Sequence, residues 1–495
     1  MANEDAFTRA RGCFEEMLGW LEGNESAQLS HADLEGEIVR RGREAQRLAF
    51  QDHLDLRALR ERRVRIVDAQ GVAHGAVETA HRRQLQTVVG AVRVERLAYR
   101  HEGSANLHPA DAALNLPDQL HSHGLRRLSA VESTRGSFDE ASQAVCRATG
   151  VAVAKRQVED LTSRAAKDVE RFYETREPTA VDEDDVLVIS ADGKGIVMRP
   201  DSLREQTAKA AAAATNRLTT RLSKGEKRNR KRMAEVGAVY DVTPVPRTPH
   251  DVMAPKAGDE HPPEAPKAKN KWLTASVVED AAEVVGRLFD EADRRDPAHT
   301  RRWVALVDGN NHQIDRIGAE AKSRGIDVTI VVDLVHVLEY LWAAAWCFFA
   351  EGDKAAEDWV RDRALSVLEG HAREVASGIC RRATTERLAK SKRKKADEAA
   401  RYLKNKAPYL DYPTALTFGW PIATGIIEGA VRYVVRDRMD VTGARWSVNG
   451  AEAVLKLRAV RANGDLDDYW RFHLDHERQR VHESRYDKGI IPTAA

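Results

Sequence analysis

The stretch RRWVALVDGNNHQIDRIGAEAKSRGIDVTIVVD, residues 301–333, contains two short apolar runs separated by a polar segment. The runs WVALV and VTIVV are rich in β-branched residues, which favours buried strands. The segment between them, HQIDRIGAEAKSRG, is predicted to be a helix. A strand, a helix and a strand joined by short loops are typical of a parallel α/β sheet. Each predicted strand ends at an aspartate, Asp308 or Asp333.

Two upstream segments extend this predicted sheet. VLVISADGKGIVM, residues 186–198, is a β-rich run that ends at Asp192 and a Gly-Lys-Gly turn and then resumes as a short strand. AEVGAVYDVTPVP, residues 234–246, predicts another strand. Residues 217–271 are otherwise expected to form a basic and Pro-rich loop inside the domain, because much of this segment is too rich in proline and charge to build a core.

A helical insertion is predicted to interrupt the α/β domain at residues 337–415, a length sufficient for a subdomain. After it, GIIEGAVRYVVRDRM, residues 425–439, has a broad apolar helical face, with Glu428, Arg432 and Arg436 on the other side. One interpretation is an exposed Glu–Arg pair at i, i+4, stabilising by a few tenths of a kcal/mol. The other is a carboxylate directed into an active site, flanked by two guanidiniums that bind phosphate.

The acidic residues form a candidate metal site. Residues just past the carboxyl ends of parallel strands share one edge of the sheet, so Asp192 and Asp308 are predicted to lie together. Clustered carboxylates repel unless cations neutralise them, and hard oxygen ligands suit Mg²⁺ or Mn²⁺. Together with Glu428, these aspartates form a predicted two-ion site of the kind that catalyses phosphodiester hydrolysis or transfer. Each aspartate alone is equally consistent with a turn cap.

The N-terminal part has three predicted segments: a helical arm at 1–63, a small β-containing segment at 64–135 and a helix-turn-helix-like segment at 136–180. The last opens with Ser137-x-x-Glu140, a capping-box pattern. Its second helix carries three candidate DNA-contacting residues near its N-terminus: Lys155, Arg156 and Gln157. An ordinary helical hairpin remains the alternative, because the turn is longer than in the tight motif.

Composition limits the function classes. The 495 residues predict roughly two to four domains, and a net charge of +1 excludes a globally basic DNA-coating protein. The basic runs at 217–232 and 388–395 are interpreted as phosphate-binding surfaces or as solvated faces. Four separated cysteines, an N-terminus without a signal pattern and apolar runs too short for a bilayer indicate a cytoplasmic protein without a zinc ribbon or membrane partner.

Four blocks together carry a resemblance to a known family. They are ADGKGIVM around Asp192, VALVDGNNHQID around Asp308, IVVDLVHVLEYLW from Ile330, and GIIEGAVRYVVRDRMDVTGARWSVNGAEAVLKLRA around Glu428. With them the chain resembles DDE transposases of the ISKra type from bacterial insertion sequences, which are similar in layout to Mutator-like transposases. Similar sequence motifs upstream extend the resemblance over nearly the whole chain.

The resemblance implies an RNase H-like catalytic domain with a helical insertion before the last catalytic helix, and a mainly helical N-terminal DNA-binding region. Its implied parts are a first core segment at 184–336, a catalytic helix and core end at 416–463, and a C-terminal helix and tail at 464–495. The implied activity is strand cleavage and strand transfer at terminal inverted repeats, in cut-and-paste or copy-type movement, with Asp192, Asp308 and Glu428 as metal ligands. The expected setting is the bacterial nucleoid.

Asp333 and His336 resemble the D-x-x-H element that follows the second catalytic aspartate in Mutator-like enzymes. We interpret Asp333 as auxiliary, although it also competes with Asp308 for the second metal position. His336 is a candidate to contact the scissile phosphate or orient a carboxylate, and is equally consistent with a hydrogen-bonded histidine at a helix start. Some families among these transposases have a zinc-binding cysteine pattern in the N-terminal region. This sequence has none, so DNA-end recognition is expected to rest on the helix-turn-helix and β segments.

Further DNA contacts are predicted beyond Glu428. Arg445 and Trp446 follow that helix, and an indole there is a candidate to stack on an unpaired base, although filling a gap between helices is the commoner role of tryptophan. Double-stranded DNA, as inverted repeats and as target, is the expected partner. At least a homodimer is expected, assembled through the arm. The alternatives are a catalytically silent DNA-binding or repressor protein and a structure-specific nuclease.

Overall fold

The computed structural model describes residues 6–177, 182–213, 230–253, 263–441 and 443–492. The chain divides into two compact units. Unit 1 contains residues 1–175 and 465–495, and unit 2 contains residues 176–464. The C-terminal segment set apart in the sequence analysis therefore belongs, from Asp465 onward, to the same unit as the N-terminal segments.

Unit 1 begins with helices and a single β-hairpin. In chain order these elements are α1 (Thr8–Leu21), α2 (Asn24–Ala27), α3 (His31–Arg60), β1 (Ala76–Thr87), β2 (Gly90–Arg100), α4 (Pro109–Ala113), α5 (His123–Ser133), α6 (Phe138–Thr149), α7 (Lys155–Ala165) and α8 (Val169–Thr175).

Unit 2 begins with an α/β region: β3 (Val186–Val197), α9 (Glu205–Ala213), β4 (Lys231–Val242), α10 (Pro249–Met253), β5 (Ala268–Ser276), α11 (Ala281–Arg295), β6 (Trp303–Val307), α12 (Asn311–Arg324) and β7 (Val328–Val332). Its remaining elements are helical: α13 (Leu334–Phe348), α14 (Lys354–Leu368), α15 (Ala372–Thr385), α16 (Lys390–Lys406), α17 (Tyr412–Thr417), α18 (Gly425–Ala430), a π-helical turn (Val431–Arg436), α19 (Asp437–Met439) and α20 (Val448–Ala462). The chain then returns to unit 1 with α21 (Leu466–Val481).

The core of unit 1 surrounds the antiparallel β1–β2 hairpin. One cluster of buried residues joins α3 to the hairpin and to the segment before α5: Leu54, Leu85, Val92, Val94 and Leu116. A second cluster contains Tyr486 from the C-terminal segment, packed with Tyr99 of β2. The C-terminal segment is therefore part of this core.

A five-stranded mixed sheet organises unit 2, in the order β5-β4-β3-β6-β7. β6 runs parallel to β3, and β7 runs parallel to β6, whereas β4 is antiparallel to both β3 and β5. The central strands β3 and β6 are buried along almost their whole apolar runs, which explains their continuous hydrophobic sequences. The predicted strand–helix–strand unit and the mixed α/β class are confirmed.

The prediction of a Gly-Lys-Gly turn after Asp192 is wrong. β3 continues through Gly193 and Gly195, which pair with Glu235 and Met233 of β4. A Cβ at Gly193 would lie 2.8 Å from Oε2 of Glu235. The glycine therefore permits close approach of a neighbouring side chain instead of forming a turn.

The predicted loop at 217–271 is shorter in the structure than in the sequence analysis, because β4 begins at Lys231 and β5 begins at Ala268. Residues 217–229 of the predicted basic run and residues 254–262 lie outside the described residues. The predicted helical character of 337–415 is confirmed. No helix in the described part of the chain combines the length and apolar character needed to cross a bilayer.

Candidate metal and phosphate site

Three aspartates lie at one edge of the unit 2 sheet. Asp308 follows β6 and Asp333 follows β7, and the last pair of these parallel strands is Val307 with Val332. β3 is also parallel to β6, and continuing its register beyond Ile189 and Ala305 brings Asp192 level with Asp308. The predicted meeting of Asp192 and Asp308 at this edge therefore follows from the observed strand register.

Glu428 approaches the same edge from α18. The apolar face predicted for this helix is largely buried, with Ile427 and Ala430 in the core, whereas Glu428 is exposed. The next turn is π-helical, a local insertion that is frequent at functional sites. The structure describes both Glu428 and Arg432 and shows no ion pair between them. The interpretation of these residues as an exposed i, i+4 ion pair therefore gains no support.

The carboxylates interact through their charges. Burial raises the pKa of Asp192 above its ordinary value, and the negative charges of Asp308 and Glu428 raise it further, against a hydrogen bond from the Gly193 amide. Like charges near one another in a partly buried setting raise the pKa of a carboxyl group. Repulsion of this kind is what a divalent cation relieves.

Asp333, His336 and Glu428 form the tightest group. Among the described residues, they offer one ligand atom each within 4.8 Å of the others. Asp333 is fully buried, and its Oδ2 lies 3.2 Å from Nδ1 of His336. Thr424, which precedes α18, donates its hydroxyl to Asp333 and lies 3.2 Å from Oε1 of Glu428. Thr424 thus joins the strand-end aspartate to the helix-borne glutamate.

Hydrogen bonds distinguish Asp333 from its neighbours. Its Oδ1 accepts from the Val335 amide at 2.8 Å, where Asp333 caps α13, and its Oδ2 faces His336 and Thr424. Burial acts to raise the pKa of Asp333, but these hydrogen bonds outweigh it and hold the pKa below the ordinary value. Both oxygens of Asp333 therefore already have protein partners.

Asp192 and Asp308 each use one oxygen locally. Asp192 accepts from the Gly193 amide at 2.6 Å within β3. Asp308 accepts from the Asn310 amide at 2.7 Å, which is the turn-capping role considered for Asp308. Their Oδ2 atoms have no hydrogen-bond donor in the parts of the chain that the structure describes. These atoms and Oε2 of Glu428 are the available oxygen ligands.

The pKa of His336 is raised by its contact with Asp333. The hydrogen bond to Asp333 raises the pKa of His336 to about 9, burial acts against this, and the charges of Asp333 and Glu339 add to the increase. A protonated imidazole has no free lone pair for a metal. In this state His336 is suited to orienting Asp333 or contacting an anion.

The helical insertion also contacts this edge. The Tyr402 hydroxyl, from α16, donates to the backbone carbonyl of Asp308 at 3.2 Å, and the Tyr402 ring stacks on Tyr340 with centroids 3.8 Å apart. Lys406, at the end of the same helix, donates to Asn311. These contacts were missed in the sequence analysis, because residues so far apart carry no shared spacing signal.

Two further polar residues were also missed. Glu235 lies beside Gly193, and burial together with the charge of Asp192 raises its pKa. Thr424 has no motif around it that marks its role. The only available signal was position: Glu235 lies in a predicted strand next to the one that carries Asp192, and Thr424 precedes the helix with Glu428.

The helix-turn-helix-like segment forms as two helices, α6 and α7. The predicted capping box is present: Glu140 Oε2 accepts from the Ser137 amide at 2.7 Å. Lys155, Arg156 and Gln157 are exposed in the first turn of α7. Gln157 also accepts from the Ala154 amide at 3.2 Å, so its side chain caps the helix.

The residues beyond Glu428 differ in accessibility. Arg432, Arg436 and Arg445 are exposed. Trp446 is only 4% exposed, its indole N–H donates to the Met439 carbonyl at 3.1 Å, and the Arg438 guanidinium lies 4.6 Å from its ring centroid. The prediction that Trp446 offers a stacking surface is corrected, because its ring and N–H are already engaged within unit 2.

Comparison with known proteins supplies no family assignment for this chain: no protein-family model matches it, and no curated protein matches it.

Proposed function

We propose that the chain is a metal-dependent DNA transposase of the ISKra type, which cleaves DNA at the terminal inverted repeats of its element and joins the freed ends to target DNA. The observation that carries this proposal is the meeting of Asp192, Asp308 and Asp333 on neighbouring strands with Glu428 on a helix. The mixed five-stranded sheet supports the RNase H-like layout that the sequence resemblance implies.

The donor set fits one or two Mg²⁺ or Mn²⁺ ions. Asp192, Asp308 and Glu428 supply carboxylate oxygens, the ligand type that these cations prefer. The raised pKa of Asp192 reflects burial and neighbouring negative charges, which a cation would offset. These three residues would hold the ions, which would supply Lewis-acid stabilisation to a phosphodiester.

The chain's own groups supply positioning. Asp333 holds His336 and Thr424, and Thr424 also approaches Glu428, so this hydrogen-bonded set fixes two acidic side chains relative to each other. The His336 imidazolium is suited to hydrogen-bond a phosphate oxygen of the DNA. Holding groups in reactive geometry accounts for a large share of rate enhancement in such reactions.

DNA binding is proposed for two surfaces, one in each unit. In unit 1, Lys155 and Arg156 are exposed in the first turn of α7, the position from which such helices contact the major groove. In unit 2, Arg432, Arg436 and Arg445 are exposed after Glu428 and are suited to phosphates near the cleavage point. Both sets predict salt-dependent binding.

The test uses a DNA segment that contains the gene with its native flanks. We expect the wild-type protein with Mg²⁺ to cut at the flank boundaries and join the ends to a second plasmid. Glu428→Gln should reduce cleavage by at least about 10³-fold, because it removes a metal-binding oxygen, while DNA binding in a gel-shift assay stays unchanged.

Asp327→Asn is the matched control. Asp327 precedes β7 at the opposite end of the strand from Asp333 and is paired with Arg302 at the surface. It should retain wild-type cleavage. Cleavage by Glu428→Gln at the wild-type rate would remove Glu428 from the site. Cutting without joining would favour the nuclease, and binding without cutting under any divalent ion would favour the silent DNA-binding protein.

A further inference from the structure

A polar cavity of about 530 Å³ lies in unit 1 between the β1–β2 hairpin, the loop before α5 and the segment that follows α21. It is separate in sequence from the acidic residues of unit 2. Its charged and imidazole-bearing lining residues are Arg82, Arg83, Arg96, Arg485, Asp111, Asp118, His81, His108 and His482.

Four arginines and two aspartates line the cavity, and Arg82 is paired with Glu95 at 2.8 Å, which leaves an excess of one positive charge. Arg96 binds Asp111 through two hydrogen bonds of 2.9 and 3.1 Å, which neutralises one buried pair. Arg83 donates to the backbone carbonyls of the loop before α5 and lies 3.6 Å from the same Asp111. Arg485 is exposed at the edge of the cavity. The Asp111 carboxylate is therefore the partner of both Arg96 and Arg83 inside the cavity.

A local irregularity in β1 positions His81 at this cavity. The hairpin register shifts between Glu78 and His81, and Ala80 within the shift has φ +57°, a conformation that alanine rarely adopts. His81 stacks on His108, with ring centroids 4.9 Å apart and planes 13° apart. Strain of this type persists where surrounding structure or function requires it.

His81 also has an unused ring nitrogen. Its Nδ1 is buried and has no hydrogen-bond partner among the residues that the structure describes. A buried polar atom without a partner is costly, and one explanation is a ligand that normally satisfies it. In the appropriate tautomer, Nδ1 donates a hydrogen bond.

We propose that this cavity binds a phosphate group. The surplus of guanidinium charge and the unpaired imidazole nitrogen match a ligand with several acceptor oxygens and negative charge. Two sources share this chemistry: the backbone of bound DNA and a free phosphate compound. The proposal concerns residues of unit 1 and does not depend on the acidic site of unit 2.

The experiment uses the full chain and two probes. The first probe is inorganic phosphate, titrated by calorimetry into protein in phosphate-free buffer. The second is a DNA duplex from the flanks of the gene, with its affinity measured over a series of salt concentrations. The variants are Arg485→Gln and His81→Leu, and circular dichroism melting verifies that each folds.

The matched control is Arg471→Gln. Arg471 is an exposed arginine of α21 that is paired with Asp468 and lies outside the cavity lining. We expect each cavity variant to weaken phosphate binding by about tenfold, the usual effect of losing one charge-assisted hydrogen bond. The control should bind phosphate as the wild type does.

The DNA measurement identifies the source. If DNA backbone occupies the cavity, Arg485→Gln lowers the slope of log affinity against log salt by about one, with no such change in the control. Weaker phosphate binding with an unchanged slope identifies a free phosphate compound. The proposal is overturned if the cavity variants change neither measurement, or if Arg471→Gln changes them as much as Arg485→Gln does.

Discussion

Among single residues, His336 shows how the acidic edge is organised by hydrogen bonding. It lies 3.2 Å from the buried carboxylate of Asp333, and this bond raises the pKa of His336 to about 9. The Val335 amide donates to Oδ1 of Asp333, and His336 and Thr424 contact its Oδ2, which favours a positioning role for Asp333. Oδ2 of Asp308 has no donor among the described residues, which favours the proposal that Asp308 takes the second metal position.

The His336 contact predicts a pH-dependent stability. Because the folded-state pKa is above the ordinary value of 6.5, the contact stabilises the folded chain fully below about pH 6.5, and this stabilisation is lost as the pH rises through about 9. We expect His336→Gln to cost about 1 kcal/mol near pH 6, a discounted value because the imidazole reaches solvent, and almost nothing near pH 10.

Urea unfolding with EDTA, which removes divalent ions, measures this difference. The urea midpoints of the wild type and of His336→Gln should converge as the pH increases. A difference in midpoint that is the same near pH 6 and near pH 10 would show that the substitution destabilises the chain through packing and not through the charged hydrogen bond.

At the scale of elements, α16 connects a basic surface to the acidic edge. Its first turns carry the exposed basic residues Lys390, Lys392, Lys394 and Lys395. Its last turns carry Tyr402, which binds the Asp308 carbonyl, and Lys406, which binds Asn311. The helix is therefore placed to fix the loop after β6 relative to the insertion.

This arrangement predicts that Tyr402→Phe slows cleavage by about five- to tenfold, since one positioning hydrogen bond is lost while the aromatic stack remains. A higher Mg²⁺ concentration should be needed for half-maximal rate, because Asp308 is less well placed, and DNA affinity should not change. Cleavage rates over a Mg²⁺ titration measure both effects.

Tyr340→Phe controls for the stack, because it keeps the second ring of the pair and removes a hydroxyl that does not contact Asp308. It should cleave at close to the wild-type rate. An equal loss of cleavage rate in both variants would mean that the two tyrosines matter only for packing of the insertion. Tyr402 would then not position Asp308.

The elements also show what the sequence could predict. β6, α12 and β7 were predictable because their apolar runs are continuous and their loops are short. The continuation of β3 through Gly193 was not, since glycine beside a turn-like sequence gives no sign that a neighbouring carboxylate requires the space. The π-helical turn after Glu428 and the contact of Tyr402 with Asp308 depend on tertiary packing, which periodicity does not record.

At the scale of the whole molecule, unit 1 depends on the C-terminal segment for its charge balance. Arg126 of α5 is fully buried and binds Glu477 of α21 at 2.8 Å. Asp168 accepts from His473 and Arg480 of α21 at 2.5 to 2.8 Å. The N-terminal helices thus obtain the counter-charges of Arg126 and Asp168 from residues that follow unit 2 in sequence.

Breaking this network should therefore destabilise unit 1 alone. Glu477→Gln leaves the buried Arg126 guanidinium without its carboxylate, and removal of one partner of a buried ion pair costs about 3–5 kcal/mol. The partly exposed pair of Arg478 with Glu483 is the matched control, and Glu483→Gln should cost less than about 0.5 kcal/mol. Hydrogen exchange should show lost protection in α5 and α21 for Glu477→Gln, with the strands of unit 2 still protected. Equal losses in both variants, or loss of protection in the unit 2 sheet, would contradict a charge network that stabilises unit 1 by itself.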